Sequence, residues 1–241
     1  MPASSASSPN AMPAAEQVSS ARMVMAMAGI GILSGILLVA TYIGTLPAIE
    51  RNKAAALERA IFDVIPGGAS KVTFARDGEK LRPLAEGEAA AVRYHAAYDE
   101  DGALAGVAIE AQGQGFADVL KVLYGYSPDC RCIVGFKVLE SKETPGLGDK
   151  IETDSAFTAN FEALDVSLDE SGGAIANPIV FAKPGQKSQA WQIEGITGAT
   201  ISSKAVTRIL HESTADVVIF LERNLQVLRD GSSSSLVAKS N

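Results

Sequence analysis

Histidine and cysteine are scarce in this chain, two of each among 241 residues. His95 and His211 are single and far apart, and each reads as an ordinary strand or helix residue rather than a base or a ligand. Cys130 and Cys132 form Cys-Arg-Cys in what reads as a hairpin turn. A redox pair or a metal site is one reading. Two cysteines do not make a four-ligand zinc site, however, and the spacing is not that of a thioredoxin motif. Same-side neighbours two apart on a strand also form a strained disulfide, so the preferred reading is no catalytic role and no metal. Gly-x-Ser-x-Gly, His-Glu-x-x-His, a Walker loop and a Gly-x-Gly-x-x-Gly before a helix are all missing. Gly113-Gln114-Gly115 is too short for a dinucleotide fingerprint. With no nucleophile–base constellation, the chain has no independent catalytic centre and is not expected to bind NADH or hydrolyse a substrate. The net charge of −7, with no basic cluster, argues against a nucleic-acid partner. Any redox chemistry must then be carried by a cofactor.

Charge is also missing from one long stretch, Met23 to Ile49. A helix of about 20 apolar residues crosses a bilayer core. Tyr42 sits where belt aromatics lie, and Gly31 and Gly35 form a small-xxx-small pair that suits helix packing as well as plain glycine tolerance. A cleaved signal peptide fits less well, since the run starts late and no small-x-small site follows. The chain therefore reads as residues 1–22, a disordered Ser/Ala/Pro-rich N-terminus; 23–49, a transmembrane helix; 50–228, one domain; and 229–241, a disordered tail. Arg22 precedes the span, while Arg51, Lys53 and Arg59 follow it. Charge alone weakly places the domain in the cytoplasm.

Within the domain, Leu57, Ile61 and Val64 or Ile65 share one helical face, ended by Pro66-Gly67-Gly68, and Pro47 predicts a kink or a new first turn. Strands are expected at 70–74, 92–98, 104–112, 133–139 and 179–181, with a short segment at 116–123 and a helical piece at 157–161. A last helix runs from Thr200 to Leu228, buries Val206, Ile209, Leu210, Val217, Phe220 and Leu221, and has a candidate break near Glu212-Ser213. The class is α+β, an antiparallel sheet with flanking helices.

Two segments carry the chemistry. In Glu194-Gly195-Ile196-Thr197-Gly198-Ala199-Thr200-Ile201-Ser202-Ser203 a strand pattern (190–193) turns through glycines into a helix pattern (Ile201, Ala205, Ile209, Leu210). The first N–H groups of such a helix have no intrahelical partner, which makes its start an anion site, and Lys204 can add positive charge. The plainer reading is that Thr197 and Ser202 cap the helix. In Glu143-Thr144-Pro145-Gly146-Leu147-Gly148-Asp149-Lys150-Ile151, Pro145 fixes φ and two glycines let backbone approach a planar ligand. An ordinary turn is the alternative.

Together, and in this order, the segments resemble the FMN-binding domains of the RnfG subunit of Rnf complexes and the NqrC subunit of sodium-pumping NADH:quinone oxidoreductase. The length and layout resemble RnfG more, over residues 20–228. The first segment resembles the family pattern acidic-x-x-Ser/Thr-Gly-Ala-Thr-x-x-Ser, with Glu194 where aspartate is commoner. The second, preceded by Gly125-Tyr126-Ser127-Pro128, resembles the loop that lies against the flavin. The resemblance implies FMN bound covalently through a phosphoester to Thr200. Thr197, Gly198, Ala199, Ser203 and Lys204 would surround the attachment, and Glu143, Thr144, Gly146, Leu147, Gly148 and Tyr126 would shape the flavin site. It further implies a flavin transferase for maturation and the other membrane subunits of an Rnf-type, ion-translocating complex as partners. The domain would lie outside the cytoplasm, on a single-pass anchor in the inner (plasma) membrane. An NqrC-like or other anchored FMN-domain protein outside an Rnf complex is the alternative.

Overall fold

The longest element is helix α1, Ser20–Val64, which passes through Pro47 without an interruption. The structure, a computed structural model, describes residues 19–85, 88 and 90–238. The expected disorder at the N-terminus therefore falls outside the described residues for 1–18. The chain divides into two units, Met1–Lys53 and Ala54–Asn241. In the first, the side chains of the uncharged run, from Met23 to Ile43, are exposed. Among the described residues, α1 is the one helix long and apolar enough to cross a membrane.

The second unit is built on a seven-stranded sheet. Its strands are β1 (Ser70–Asp77), β2 (Lys80–Pro83), β3 (Arg93–Tyr98), β4 (Leu104–Gln114), β5 (Val119–Ser127), β6 (Cys132–Glu140) and β7 (Leu164–Asp165), in the order β2-β1-β3-β4-β5-β6-β7. Every pairing is antiparallel. Short helical turns α2 (Lys150–Thr153) and α3 (Ser155–Thr158) follow β6. Next come a two-stranded parallel ribbon of β8 (Val180–Ala182) and β9 (Gln192–Glu194), then α4 (Thr200–Arg223) and α5 (Leu225–Ala238).

Alternation along the strands gives the sheet two different faces. Tyr94, Ile109, Tyr124 and Phe136 lie opposite one another across four strands. The first three are buried under α4, with Val206, Ile209, Leu210, Val218, Phe220 and Leu221. The other face receives the end of α1, where Ala60, Ile61, Val64 and Ile65 pack on Ala97, Ala108 and Leu123. A Cβ on Gly125 or Gly135 would lie 2.0 or 2.5 Å from the Val64 carbonyl oxygen, so the helix end rests directly on strand backbone. The architecture is α+β, as the sequence predicts.

The elements differ from expectation in several places. β2 carries no clear alternation, and β5 extends to Ser127, well beyond the short segment expected there. α4 does not break near Glu212-Ser213. The Ser213 hydroxyl bonds the buried Tyr124 hydroxyl (2.8 Å) instead of competing for helix backbone. The break falls at Asn224, whose amide donates to the carbonyls of Phe220 (2.9 Å) and Glu79 (3.2 Å). α5 then continues to Ala238, over positions that read as a tail from composition; residues 239–241 lie outside the described residues. Lastly, Cys130 and Cys132 are joined as a disulfide. They are not same-side neighbours on one strand. Arg131 between them is left-handed (φ 52°), and the chain reverses there, leaving the Cα atoms 5.2 Å apart.

Candidate flavin site

The turn from β9 into α4 passes through Gly198, whose φ of 86° is open to glycine and costly for other residues. Ala199 precedes the helix and has no side-chain cap. Ser203, one turn in, stabilises this entry. Its hydroxyl donates to the Ala199 carbonyl (2.9 Å) and accepts the Ile196 N–H (3.2 Å). The N–H groups of Thr200, Ile201 and Ser202 have no hydrogen-bond partner among the described residues. Neither Thr197 nor Ser202 caps the helix: Thr197 is exposed, and the Ser202 hydroxyl donates to Glu143 (2.6 Å). The Thr200 side chain is exposed beside the three free N–H groups.

The second segment closes on itself. The Thr144 carbonyl accepts the N–H groups of Leu147 and Gly148, each at 3.1 Å, across Pro145 and Gly146. Glu143, only 6% exposed, reaches out of this loop. Its Oε1 accepts the N–H groups of Phe116 (2.7 Å) and Ala117 (3.2 Å), and its Oε2 accepts from Ser202. Three pieces of chain distant in sequence are thereby joined at one carboxylate. A Cβ on Gly115 or on Gly148 would sit 2.4 Å from a carboxylate oxygen of Glu143, so backbone encloses it on both sides.

Above this junction lies an open cavity of ≈ 260 Å³. Its walls are Phe116, the loop residues Glu143, Thr144, Leu147 and Gly148, and the turn and first helical residues Gly198 to Ser202. Phe116, Leu147 and Ile201 are large apolar side chains that are 60%, 52% and 57% exposed. A cluster of this kind at the mouth of a concave, partly polar site is where a planar ligand would lie. Larger cavities elsewhere, of ≈ 550 and ≈ 540 Å³, include several charged residues in their walls.

Of the residues singled out from sequence, the pocket gathers Thr200, Gly198, Ala199, Glu143, Thr144, Leu147 and Gly148. Five others lie off it. Thr197 lines a separate cavity with Glu194 and Lys150. Ser203 is fully buried beneath the turn. The Lys204 ammonium lies over the Phe181 ring, 5.3 Å from its centroid. Gly146 forms the left-handed corner of its loop (φ 79°) and does not line the pocket; the close approach occurs at Gly148. Tyr126 is fully buried, and its hydroxyl donates to Glu222 (2.6 Å), near the far end of α4. Burial and then this carboxylate hold its phenol well above the ordinary range. Glu222 lies 22 residue steps beyond Thr200, so the helix places them about 33 Å apart. Three wall residues are additional: Phe116, Ile201 and Ser202. Ile201 matched the buried stripe of α4 by spacing, but in the first turn that direction overlooks the pocket. Phe116 could have been flagged as a lone aromatic after a Gly-x-Gly turn.

Residues 115–215 match the family described as the FMN-binding domain. The chain is 29% identical to the G subunit of an ion-translocating oxidoreductase complex of Methanosarcina acetivorans over 197 residues, covering 80% of this chain and 91% of the relative. It is 28% identical to the G subunit of a proton-translocating ferredoxin:NAD(+) oxidoreductase complex of Clostridium ljungdahlii over 188 residues, covering 78% and 86%. Among solved structures, the C subunit of the Na(+)-translocating NADH-quinone reductase of Parabacteroides distasonis superposes with a TM-score of 0.55 at 25% identity, covering 73% of this chain and 96% of that one. NqrC of Shewanella oneidensis, at 18% identity and a TM-score of 0.57 over 76% and 99%, shares the fold. Both sequence segments and every wall of the pocket fall inside the matched region. Residues 115–215 thus match the FMN-binding domain family, and over most of its length the chain is similar to the G subunits of ion-translocating oxidoreductase complexes.

Proposed function

We propose that this protein is an electron-carrying subunit of a membrane-bound, ion-translocating oxidoreductase complex of the Rnf type, with FMN joined through its phosphate to the Thr200 hydroxyl. The observation that carries this reading is the exposed Thr200 hydroxyl at the uncapped start of α4, on the rim of a pocket too small for the whole cofactor. Pockets that enclose a drug-sized ligand measure roughly 300–1,000 Å³, against ≈ 260 Å³ here. Such a site seats a ring system but leaves the rest of the ligand in water. A tether makes binding intramolecular and replaces the missing contact area with a high effective concentration. Outside the cytoplasm, where a released flavin is lost, that matters most.

The residues fit the group. The three free N–H groups at the start of α4 suit a phosphodiester, which the helix dipole also favours. Phe116, Leu147 and Ile201 offer apolar surface to the ring system. When bound, the flavin accepts and passes on electrons. The N–H groups of Thr200, Ile201 and Ser202 would hold its phosphate, and Phe116, Leu147 and Ile201 would offer a surface to its ring system. Exposure of Thr200 also leaves it open to a flavin transferase. The apolar run of α1 would anchor the domain, with the other subunits of the complex as neighbours, and the domain would face away from the cytoplasm.

Mass spectrometry of the tryptic peptide containing Thr200, from cells that make a flavin transferase, should show one FMN adduct. A peptide that is fully unmodified there rules out the covalent linkage. Reporter fusions after Asn241 should be active for an extracytoplasmic reporter and silent for a cytoplasmic one. Copurification with further membrane subunits separates an Rnf-type complex from a stand-alone carrier.

A further inference from the structure

Glu143 is the most connected polar group at the pocket. We propose that Glu143 is a positioning residue that joins the three walls of the flavin pocket and places a buried carboxylate beside it, keeping the flavin's reduction potential low. This rests on the reading that FMN is attached at Thr200 and occupies the pocket.

The geometry makes two separate points. First, the walls meet at one buried carboxylate; the other ties between these segments, Lys142 to Asp118 and Arg208 to the Gln114 carbonyl, lie at exposed positions. The Phe116 turn, the 143–148 loop and the first turn of α4 meet through the Glu143 oxygens, which accept two backbone N–H groups and the Ser202 hydroxyl. Hydrogen bonds to a carboxylate are among the stronger ones, and leaving the buried Ser202 hydroxyl and the two part-buried N–H groups without it is costly. Second, the charge has no counter-cation among the described residues. Neighbouring Lys142 pairs with Asp118 (2.5 Å), on the exposed side. Among the described residues, the carboxylate's hydrogen-bond donors are the Phe116 and Ala117 N–H groups and the Ser202 hydroxyl. Backbone at Gly115 and Gly148 fits closely around it, and it is 6% exposed, so water screens it little. Reducing a flavin in the pocket adds electron density beside that charge. The repulsion disfavours the reduced form.

Glu143→Gln tests this directly. The amide oxygen can still accept from Phe116 and Ala117, and the amide nitrogen can donate to Ser202, so the lock stays while the charge goes. In the full chain, purified in detergent after maturation by a flavin transferase, the variant should keep the Thr200 adduct. Amide hydrogen exchange at Phe116 and Ala117 should remain slow, and the flavin's midpoint potential should move to a more positive value. Glu143→Ala should keep the adduct but speed exchange at those two amides at least tenfold. An unchanged potential in Glu143→Gln with the adduct present, or unchanged exchange in Glu143→Ala, overturns the inference alone. A wild-type chain with no adduct on the Thr200 peptide overturns the flavin reading and this inference with it.

Discussion

The two ends of α4 meet the same sheet in opposite ways. At its C-terminal end and the start of α5 polar groups are paired away from solvent: Tyr98 donates to the Leu228 carbonyl of α5 (2.6 Å), Tyr126 to Glu222, and Asn224 to two carbonyls. At its N-terminal end three N–H groups are left free, a threonine is exposed, and apolar side chains face solvent. The difference separates stability from binding within one helix. Donors left unpaired where water or a ligand can reach them cost little, and they are what a ligand can use. The sealed end holds the helix so that the open end has a fixed geometry.

If the C-terminal end carries the stability, Phe220→Ala should show the largest effect. Phe220 packs on Tyr94, with ring centroids 5.7 Å apart, and under the Arg76 guanidinium at 4.2 Å. Truncation should cost roughly 3–5 kcal/mol in denaturant unfolding. The folded fraction should retain its flavin adduct, since the cavity opens far from Thr200.

Alkaline pH should attack the same end. Burial pushes the Tyr98 phenol up to about 12 from its ordinary 10, and burial likewise raises Tyr124 and Tyr126. A raised folded-state value means that the stability from the neutral phenol is fully present below pH 10. It is then lost as pH rises toward about 12. Unfolding followed against pH should therefore show a steep fall in that window. Tyr98→Phe should make it shallower, with Tyr124 and Tyr126 still contributing, while costing about 1 kcal/mol at neutral pH for the lost bond to Leu228.

That division was partly legible beforehand. The apolar span, the antiparallel strands at 92–98 and 104–112 and the start of α4 followed from charge gaps and periodicity, which act over adjacent residues. Thr200 and the 143–148 loop followed from short motifs and a family resemblance. What sequence did not disclose was long-range pairing. Tyr126 lies in a segment that resembles the site but turns its hydroxyl to Glu222. Lys204 has the right charge and spacing, yet its side chain rests over Phe181. Ser202 read as a helix cap until Glu143 provided a partner 59 positions away.

Gly148→Ala probes where the open end still depends on packing. Its Cβ would fall 2.4 Å from Glu143 Oε2 and 2.8 Å from Ser202 Oγ. Overpacking of this kind costs about 1–3 kcal/mol, and the loop should shift away from α4. The adduct should remain, while the flavin absorbance spectrum should lose its pocket-bound shape. Gly146→Ala is the control within the same loop. Nothing lies within 4 Å of its Cβ, so any cost comes from its left-handed backbone, and the pocket wall should be spared.

The smallest change in stability should come from Thr200 itself. The side chain is exposed, makes no hydrogen bond to the described residues and caps nothing. Surface substitutions of this kind stay within about 0.5 kcal/mol, so Thr200→Ala should unfold at the wild-type denaturant midpoint when both are compared without flavin. The same variant should lose its FMN adduct completely, because alanine has no oxygen to esterify. Thr200→Ser keeps a hydroxyl at the same helix position and should restore part of the adduct. A Thr200→Ala protein that unfolds at much lower denaturant would make this end of α4 structural after all. One that keeps a full complement of covalent FMN would move the attachment elsewhere and leave the free N–H groups without the role assigned to them.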